Sequence, residues 1–190
     1  SSYGSNRIAE TGNVDFCYNE VWGDEDQFKD LYTIIKTNDM NSNHTLKSIF
    51  AAYMNYECSN REFNIPGVLL TDAVIFALGG AHLELGDHML CREYFPSQDV
   101  KMSPALKTLI VRYYDFMTAY QNLLRGESSK AEVQVEVVST ATRKVPFNNW
   151  PPKEASVTTY AKKIGGRTII NFLNFRTVDN LSWRDLKGTR

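Results

Sequence analysis

The chain has 190 residues, of which 43% are hydrophobic and 23% charged, a composition typical of soluble globular proteins. Its formal net charge is −1, with both signs mixed along the chain, which argues against nucleic acid and against an anionic membrane surface as partners. No run approaches the roughly 18 apolar residues of a transmembrane helix, and the polar residues 1–11 do not form a signal peptide.

The first strand, helix and second strand follow one another from residue 14. Residues 14–22 alternate apolar and polar side chains and predict a strand. Apolar residues at helical spacing then predict a helix over about 26–39. The run 48–56 is nearly apolar throughout, as in a strand that lies in a parallel sheet covered on both faces.

Two more helices and a short strand complete this pattern. Residues 66–78 are apolar on all sides and predict a buried helix that ends at Gly79-Gly80. Residues 81–86 predict a short third strand. Ser103-Pro104 is typical of a helix start, and this helix is expected to run to about Arg125.

The alternation of strands and helices predicts an α/β fold with parallel βαβ units. Three parallel strands alone would leave two bare sheet edges. They therefore either pair with further strands or form the last three βα units of a larger (β/α)8 TIM barrel.

The pattern changes after Gly126. Residues 132–137 alternate strictly, and residues 157–161 and 168–175 predict further strands with a hairpin turn at Gly165-Gly166. We therefore predict two domains: 1–126, the C-terminal part of a barrel, and 127–190, the beginning of an antiparallel β-sandwich-like domain.

Polar and aromatic side chains lie where the predicted strands end, which in an α/β barrel is where chemistry occurs. Glu20 is flanked by Tyr18 and Trp22, so a poorly hydrated carboxyl is expected, as a glycosidase general acid requires. Aromatic rings, amides and carboxylates at strand ends also suit a sugar site. The other strand-end candidates are Asn55, Tyr56, His82, Glu84 and Asp87.

Each candidate also has a simpler interpretation. A glutamate at a strand end is more often solvent-facing or salt-bridged than catalytic. His82 and His88 with Glu84 and Asp87 could bind a metal, but hydrogen-bonded loop histidines are more common, so we predict no metal. Asp72 is expected to be a structural residue of its helix. Lys162-Lys163 is expected to lie in a solvated turn.

The remaining chemistry-bearing motifs are absent. Cys17, Cys58 and Cys91 form no CxxC pair, so a structural zinc site is not expected. Cys17 and Cys91 lie in or beside apolar runs, which favours buried free thiols there. The sequence contains no GxSxG, P-loop, HExxH or GxGxxG motif. No cofactor is therefore expected.

Several segments together resemble glycoside hydrolase family 66, which contains endo-dextranases and cycloisomaltooligosaccharide glucanotransferases. Val14-Asp-Phe-Cys-Tyr-Asn-Glu20-Val-Trp22 resembles the strand that bears the family's acid/base glutamate, and Ala51-Ala-Tyr-Met-Asn55-Tyr56 resembles the next strand. The most specific block runs from Gly67 to Pro96. The resemblance covers about residues 1–126 well and the remainder only by position.

The resemblance implies a (β/α)8 enzyme that cleaves α-1,6-linked glucan with retention of configuration, and it assigns the acid/base role to Glu20. The nucleophilic aspartate belongs to an earlier strand that no part of this sequence matches. The isolated chain is therefore expected to be inactive unless the missing strands are supplied. Trp22, Asn55, Tyr56, His82, Glu84 and Asp87 are expected to contact sugar, although His82 and Glu84 could instead hold the barrel mouth together.

Three functions remain open from the sequence. An endo-dextranase uses water as acceptor, whereas a cyclising glucanotransferase uses the far end of its own glucan chain. Short loops after the three strands favour the dextranase. A non-catalytic glucan-binding module is the third possibility. Because dextran is too large to enter cells, an extracellular, cell-surface or periplasmic location is expected, and the open barrel edge predicts association with the missing half or a second copy.

Overall fold

The computed structural model describes residues 5–21, 24–54, 62–84, 101–126, 129–131, 133, 135 and 145–184. Helix α1 (Ser5–Glu10) precedes strand β1 (Phe16–Val21), helix α2 (Phe28–Asn41) and strand β2 (Lys47–Ala52). Helix α3 (Ile65–Leu78) and strand β3 (Ala81–His82) follow. None of the described helices is long and apolar enough to cross a membrane.

The first described sheet has the order β1-β2-β3, and both pairings are parallel. Since α2 and α3 connect these consecutive strands, the predicted parallel βαβ units are confirmed. In register, Glu20 lies beside Ala51, and Phe50 lies beside His82. Because the strands are parallel, their carboxyl ends lie at the same end of the sheet. The candidate site lies at that end.

The helices begin and end at residues with suitable local chemistry. At the start of α2, the Gln27 backbone N–H donates to the Asp30 carboxylate at 2.9 Å, which completes a capping box. Helix α3 ends at Gly79, whose φ of +93° favours glycine. A Cβ at Gly79 would also lie 3.1 Å from the Leu124 carbonyl oxygen, so both backbone conformation and space select glycine there.

The predicted last helix is interrupted near its end. Helix α4 (Pro104–Ala119) starts at Ser103, whose hydroxyl accepts a hydrogen bond from the Leu106 N–H at 3.2 Å. The short helix α5 (Gln121–Leu124) follows after Tyr120, where φ of −109° and ψ of 15° leave the helical range. The helix start was therefore predicted correctly, whereas the single helix to about Arg125 was wrong.

The second described sheet contains β4 (Ser129–Lys130), β5 (Phe147–Asn149), β6 (Val157–Ile164) and β7 (Arg167–Asn174). Strands β6 and β7 pair antiparallel around Gly165 and Gly166, which confirms the predicted hairpin. Strand β5 pairs parallel to β6, so the sheet is mixed rather than purely antiparallel.

The short connection after β5 explains this parallel pairing. The Asn148 side-chain amide donates to the Pro151 carbonyl oxygen at 2.8 Å. Its Oδ1 accepts from the Ser156 hydroxyl at 2.5 Å and from the Thr158 hydroxyl at 3.1 Å. Asn148 thus folds the connection back beside β6, a detail that strand patterning does not encode.

Only two residues of the predicted strand 132–137 belong to the described part of the chain, and neither lies in a strand. These are Val133 and Val135, and the other residues of this run lie outside the described residues.

One hydrophobic cluster joins the two sheets. Phe28 of α2 makes an edge-to-face contact with Phe175, with ring centroids 5.1 Å apart. Tyr32 packs in the same way against Tyr160 of β6 at 6.1 Å. The second sheet therefore packs directly on the helix that follows β1, and the predicted division at residue 126 remains a prediction.

Candidate active site

The two faces of β1 are distinguished by a contact with α2. The Asn38 side-chain amide donates to Asn19 Oδ1 at 2.7 Å and to the Ser48 hydroxyl at 2.8 Å. Asn19 on β1 and Ser48 on β2 therefore face the helix. Because successive side chains of a strand point to opposite faces, Tyr18 and Glu20 project from the face that α2 does not cover.

Glu20 lies near the carboxyl end of β1 on this uncovered face. The Tyr18 hydroxyl donates a hydrogen bond to Glu20 Oε1 at 3.1 Å. Glu20 is half-buried and Tyr18 is 40% exposed. Trp22, the other residue expected to shield the carboxyl, lies outside the described residues, so the poor hydration of Glu20 stays a prediction.

Four predicted sugar-binding residues lie outside the described residues, namely Trp22, Asn55, Tyr56 and Asp87. Their contact with sugar stays a prediction. Two of the cysteines, Cys58 and Cys91, also lie outside. Cys17 is a half-buried free thiol, and burial raises the pKa of this thiol.

His82 lies on the opposite side of the sheet from Glu20. Its register partner Phe50 shares a strand face with Ser48, the face that α2 covers. His82 is 2% exposed. Its Nδ1 lies 2.8 Å from Asp72 Oδ1 of α3, and its Nε2 lies 3.0 Å from the Ala52 carbonyl oxygen.

Both ring nitrogens of His82 therefore face oxygen atoms, and an imidazolium, with a proton on each nitrogen, can donate to both. Desolvation lowers the pKa of His82, but the hydrogen bond that its Nδ1–H donates to Asp72 and the electrostatic attraction of the neighbouring carboxyl groups raise it, with a net result of about 9. His82 is thus an imidazolium at neutral pH, bonded to a carboxyl on α3 and to the end of β2.

Glu84 completes this buried cluster. Its Oε1 lies 3.7 Å from His82 Nδ1. Burial raises the pKa of Glu84 to about 8, opposed by the His82 charge and reinforced by Asp72. At neutral pH Glu84 therefore carries a proton. Burial raises the pKa of Asp72 as well, and the hydrogen bond and charge of His82 oppose that shift.

Several buried oxygen atoms of the cluster lack a hydrogen bond of ordinary geometry. Among the described residues this holds for Asp72 Oδ2, both Glu84 oxygens and the Tyr114 hydroxyl. Glu84 interacts with Asp72 and Tyr114 closely enough to affect its pKa. The Glu84 proton is therefore within a group of acceptors that can share it.

Asp72, His82 and Glu84 offer three ligand atoms within 4.8 Å of one another. A metal on His82 Nδ1 would have to displace the bond to Asp72, because that nitrogen already lies 2.8 Å from the carboxylate. The contacts favour a hydrogen-bonded network. Through these contacts His82 joins β3 to α3 and to the end of β2, while contact of His82 and Glu84 with sugar stays a prediction.

Asp72 was expected to be structural and is, but sequence reasoning missed its partner. The available signal was its position: a carboxylate in a helix that is apolar on every side must find a compensating group. Asp72 is 0% exposed, and the compensating group is His82, whose Nδ1 lies 2.8 Å from Asp72 Oδ1.

Arg184 is a site residue that the sequence did not reveal. It is 8% exposed, and its Nη2 donates to the Val21 carbonyl oxygen at 3.2 Å, while its Nη1 donates to the Tyr53 carbonyl oxygen at 3.3 Å. Its guanidinium lies 4.6 Å from the centre of the Trp183 ring. Arg184 therefore joins the carboxyl ends of β1 and β2.

Comparison with known proteins gives one family and several relatives. The sequence model described as Glycosyl hydrolase family 66 matches residues 1–190. A dextranase from Streptococcus salivarius is 26% identical over 211 aligned positions, which cover 92% of this chain and 25% of that protein. A cycloisomaltooligosaccharide glucanotransferase from Niallia circulans is 44% identical over 64 residues, which cover 33% of this chain and 7% of that protein.

One solved structure has the same fold over nearly the whole chain. It is a Paenibacillus sp. cycloisomaltooligosaccharide glucanotransferase complexed with cycloisomaltoheptaose, with a TM-score of 0.82 and 16% identity. The match covers 98% of this chain and 44% of that one. The chain thus spans less than half the length of each of these three proteins.

Proposed function

Because the chain belongs to glycosyl hydrolase family 66, we propose that it is part of an enzyme that hydrolyses α-1,6-glucosidic bonds within dextran. The similarity to a dextranase over 92% of the chain supports this substrate class. The proposal concerns the complete protein, of which these 190 residues carry the acid/base group.

The observation that carries the proposal is the position of Glu20. Its carboxylate lies near the carboxyl end of a parallel strand, on the face turned away from α2, and accepts a hydrogen bond from Tyr18 at 3.1 Å. Its neighbour in register is Ala51. A half-buried carboxyl at the carboxyl end of a parallel strand suits a general acid and base.

The proposed reaction is a double displacement with retention. An aspartate from another strand attacks the anomeric carbon, while Glu20 donates its proton to the glycosidic oxygen of the departing glucan. Glu20, now a carboxylate, removes a proton from water, which attacks the anomeric carbon and releases the aspartate. No part of this sequence matches the family's nucleophile strand, so the second carboxylate comes from elsewhere in the protein.

We further propose that β1, β2 and β3 are the last three strands of a (β/α)8 barrel. The sequential parallel order and the projection of Glu20 away from α2 support this arrangement, because the uncovered face would line the barrel interior. Residues 1–126 would belong to the barrel and residues 127–190 to the following β-domain.

A cyclising glucanotransferase is the second candidate, favoured by the 44% identity over 64 residues to such an enzyme. It would form the same glycosyl-enzyme, and the far end of the bound glucan would replace water as acceptor. A glucan-binding module without catalysis is the third candidate. In each case the ligand is an α-1,6-glucan, and its size places the proposed site of action outside the cytoplasm.

Product analysis of the complete protein distinguishes these candidates. Incubation with dextran followed by separation of products by size should yield linear isomaltooligosaccharides. Cyclic products would keep the role of Glu20 and replace hydrolysis by transfer. Binding of dextran without any product would favour the binding module.

A further inference from the structure

One side chain from the end of the described chain holds two strands of the first sheet. Val21 is the last residue of β1, and Tyr53 directly follows β2. Their carbonyl oxygens both accept hydrogen bonds from Arg184, at 3.2 and 3.3 Å. Arg184 is separated from them by 163 and 131 positions in sequence, so a segment beyond the second sheet reaches the edge that bears Glu20.

The segment that carries Arg184 is anchored by other contacts. The Trp183 indole N–H donates to the Glu25 carbonyl oxygen at 2.6 Å, and its backbone N–H donates to the Asp26 carbonyl oxygen at 2.9 Å. The Thr71 hydroxyl donates to the Trp183 carbonyl oxygen at 3.1 Å. The segment is thereby tied to the loop before α2 and to α3 without help from the guanidinium.

Burying a guanidinium costs free energy unless hydrogen bonds compensate it. Backbone carbonyls where strand pairing stops also need donors, and a planar guanidinium can serve two at once from one rigid fork. Arg184 meets both requirements. The stem of Arg184 is fixed by the anchored segment, so the two carbonyls are held at a set separation.

We propose that Arg184 is a positioning residue for Glu20, which fixes the end of β1 against the end of β2 so that Glu20 protonates the glycosidic oxygen efficiently. This inference rests on the proposed function. Val21 directly follows Glu20, so a shift of its carbonyl changes the direction of the backbone that carries the carboxylate. Misplacement of a catalytic group by about 1 Å can cost on the order of 100-fold in rate.

The test compares two substrates that differ in their need for acid assistance. Dextran has an alkoxide leaving group that must be protonated, whereas a nitrophenyl isomaltoside has a leaving group that departs without much help. For the complete enzyme, we expect Arg184→Met to lower kcat/KM on dextran about 10- to 100-fold and on the nitrophenyl glycoside less than about 3-fold. Arg184→Lys, which keeps charge and donors, should recover part of the loss.

Two controls make the result decisive. Arg176→Met removes an exposed arginine and should leave both rates unchanged. Glu20→Gln should show the same selective loss on dextran as Arg184→Met, but larger. If Glu20→Gln loses no activity on dextran, the proposed function fails and this inference fails with it.

Two outcomes would overturn the inference while leaving Glu20 in place. Equal losses on both substrates would show that Arg184 supports only the fold, and unchanged kcat/KM on dextran would show that it positions nothing. Thermal unfolding of each variant identifies any loss of folded protein. If Arg184→Met does not fold, the same comparison with Arg184→Lys decides between selective and equal loss.

Discussion

The Lys162 side chain on β6 donates a hydrogen bond to the carbonyl oxygen of Ala77 near the end of α3, at 3.0 Å across 85 positions of sequence. The same ammonium donates to the carbonyl oxygen of Leu124 at the end of α5. Lys162 is 2% exposed. One cation thus satisfies the carboxyl ends of two helices, where a positive charge is favourable, and joins the second sheet to the helices around the first.

Replacing Lys162 should destabilise the chain. In Lys162→Met the carbonyls of Ala77 and Leu124 lose their donor inside the protein, and we expect a loss of about 1–3 kcal/mol in the free energy of unfolding. Urea unfolding measures this change. Lys163→Met is the matched control because Lys163 is exposed, and it should have little effect; equal stability of both variants would contradict the bridging role.

Removing Asp72 should be more damaging. Asp72→Ala leaves the His82 imidazolium without its bonded carboxylate in a buried site, and we expect a loss of roughly 3–5 kcal/mol. Asp72→Asn keeps an oxygen that can accept from His82 Nδ1 and should cost less. Asp179→Ala, at an exposed aspartate, serves as the control in the same urea titration. A loss at Asp72 no larger than at Asp179 would show that the cluster does not hold the sheet.

The buried cluster also predicts how stability varies with pH. Folding raises the pKa of His82 from 6.5 to about 9 and that of Glu84 from 4.5 to about 8. The folded state therefore binds more protons, and this stabilisation is complete at low pH and is lost as the pH rises through the folded pKa values. For these two groups stability should fall as the pH rises above about 5, up to about 8 for Glu84 and about 9 for His82.

The fall in stability should be measured only up to about pH 8, because above that pH the titration of Lys162 raises stability. Desolvation lowers the pKa of Lys162 from 10.5 to about 8, with smaller contributions from Lys36 and Lys47, so its contribution to stability rises with pH above that value. Glu84→Gln removes one titrating group, and its melting temperature should fall less steeply between pH 5 and 8. Glu154→Gln, at an exposed glutamate, should keep the original slope; identical slopes for all three proteins would contradict the assignment.

The 190-residue chain should not hydrolyse dextran by itself. The proposed mechanism needs a nucleophilic aspartate in addition to Glu20, and we propose that this aspartate lies on a barrel strand outside these residues. Release of reducing ends from dextran measures the activity, with the complete protein as positive control. Turnover by the chain alone would show that both carboxylates lie within it.

The order of strands and helices could be predicted because each element has a regular apolar pattern. The run 49–52 is apolar at every position and mostly buried, and α3 is apolar nearly all round, with nine of its residues buried. The β6–β7 hairpin was predictable from Gly165-Gly166, which adopt positive φ values. In these cases the residues that local structure favours are also the residues that packing in the folded chain requires.

The functional contacts were less predictable because they join residues distant in sequence. The Lys162-Lys163 pair was expected in a solvated turn, yet Lys162 is buried against the ends of two helices, which only the folded arrangement brings there. Arg184 gave no local signal, because its acceptors are backbone carbonyls of Val21 and Tyr53, whose positions depend on packing. The half-burial of Glu20 depends on neighbours from other strands, which apolar residues along one strand do not reveal.

The most direct test of the central claim is rescue of Glu20→Ala by azide in the complete enzyme, with a nitrophenyl isomaltoside as substrate. This substrate can form the glycosyl-enzyme without an acid, and the intermediate then accumulates because no base activates water. We expect azide, which needs no base, to raise kcat and to form an α-glycosyl azide. No acceleration by azide, or an activity of Glu20→Ala on dextran equal to that of the unmodified enzyme, would contradict the assignment of Glu20 as the acid/base.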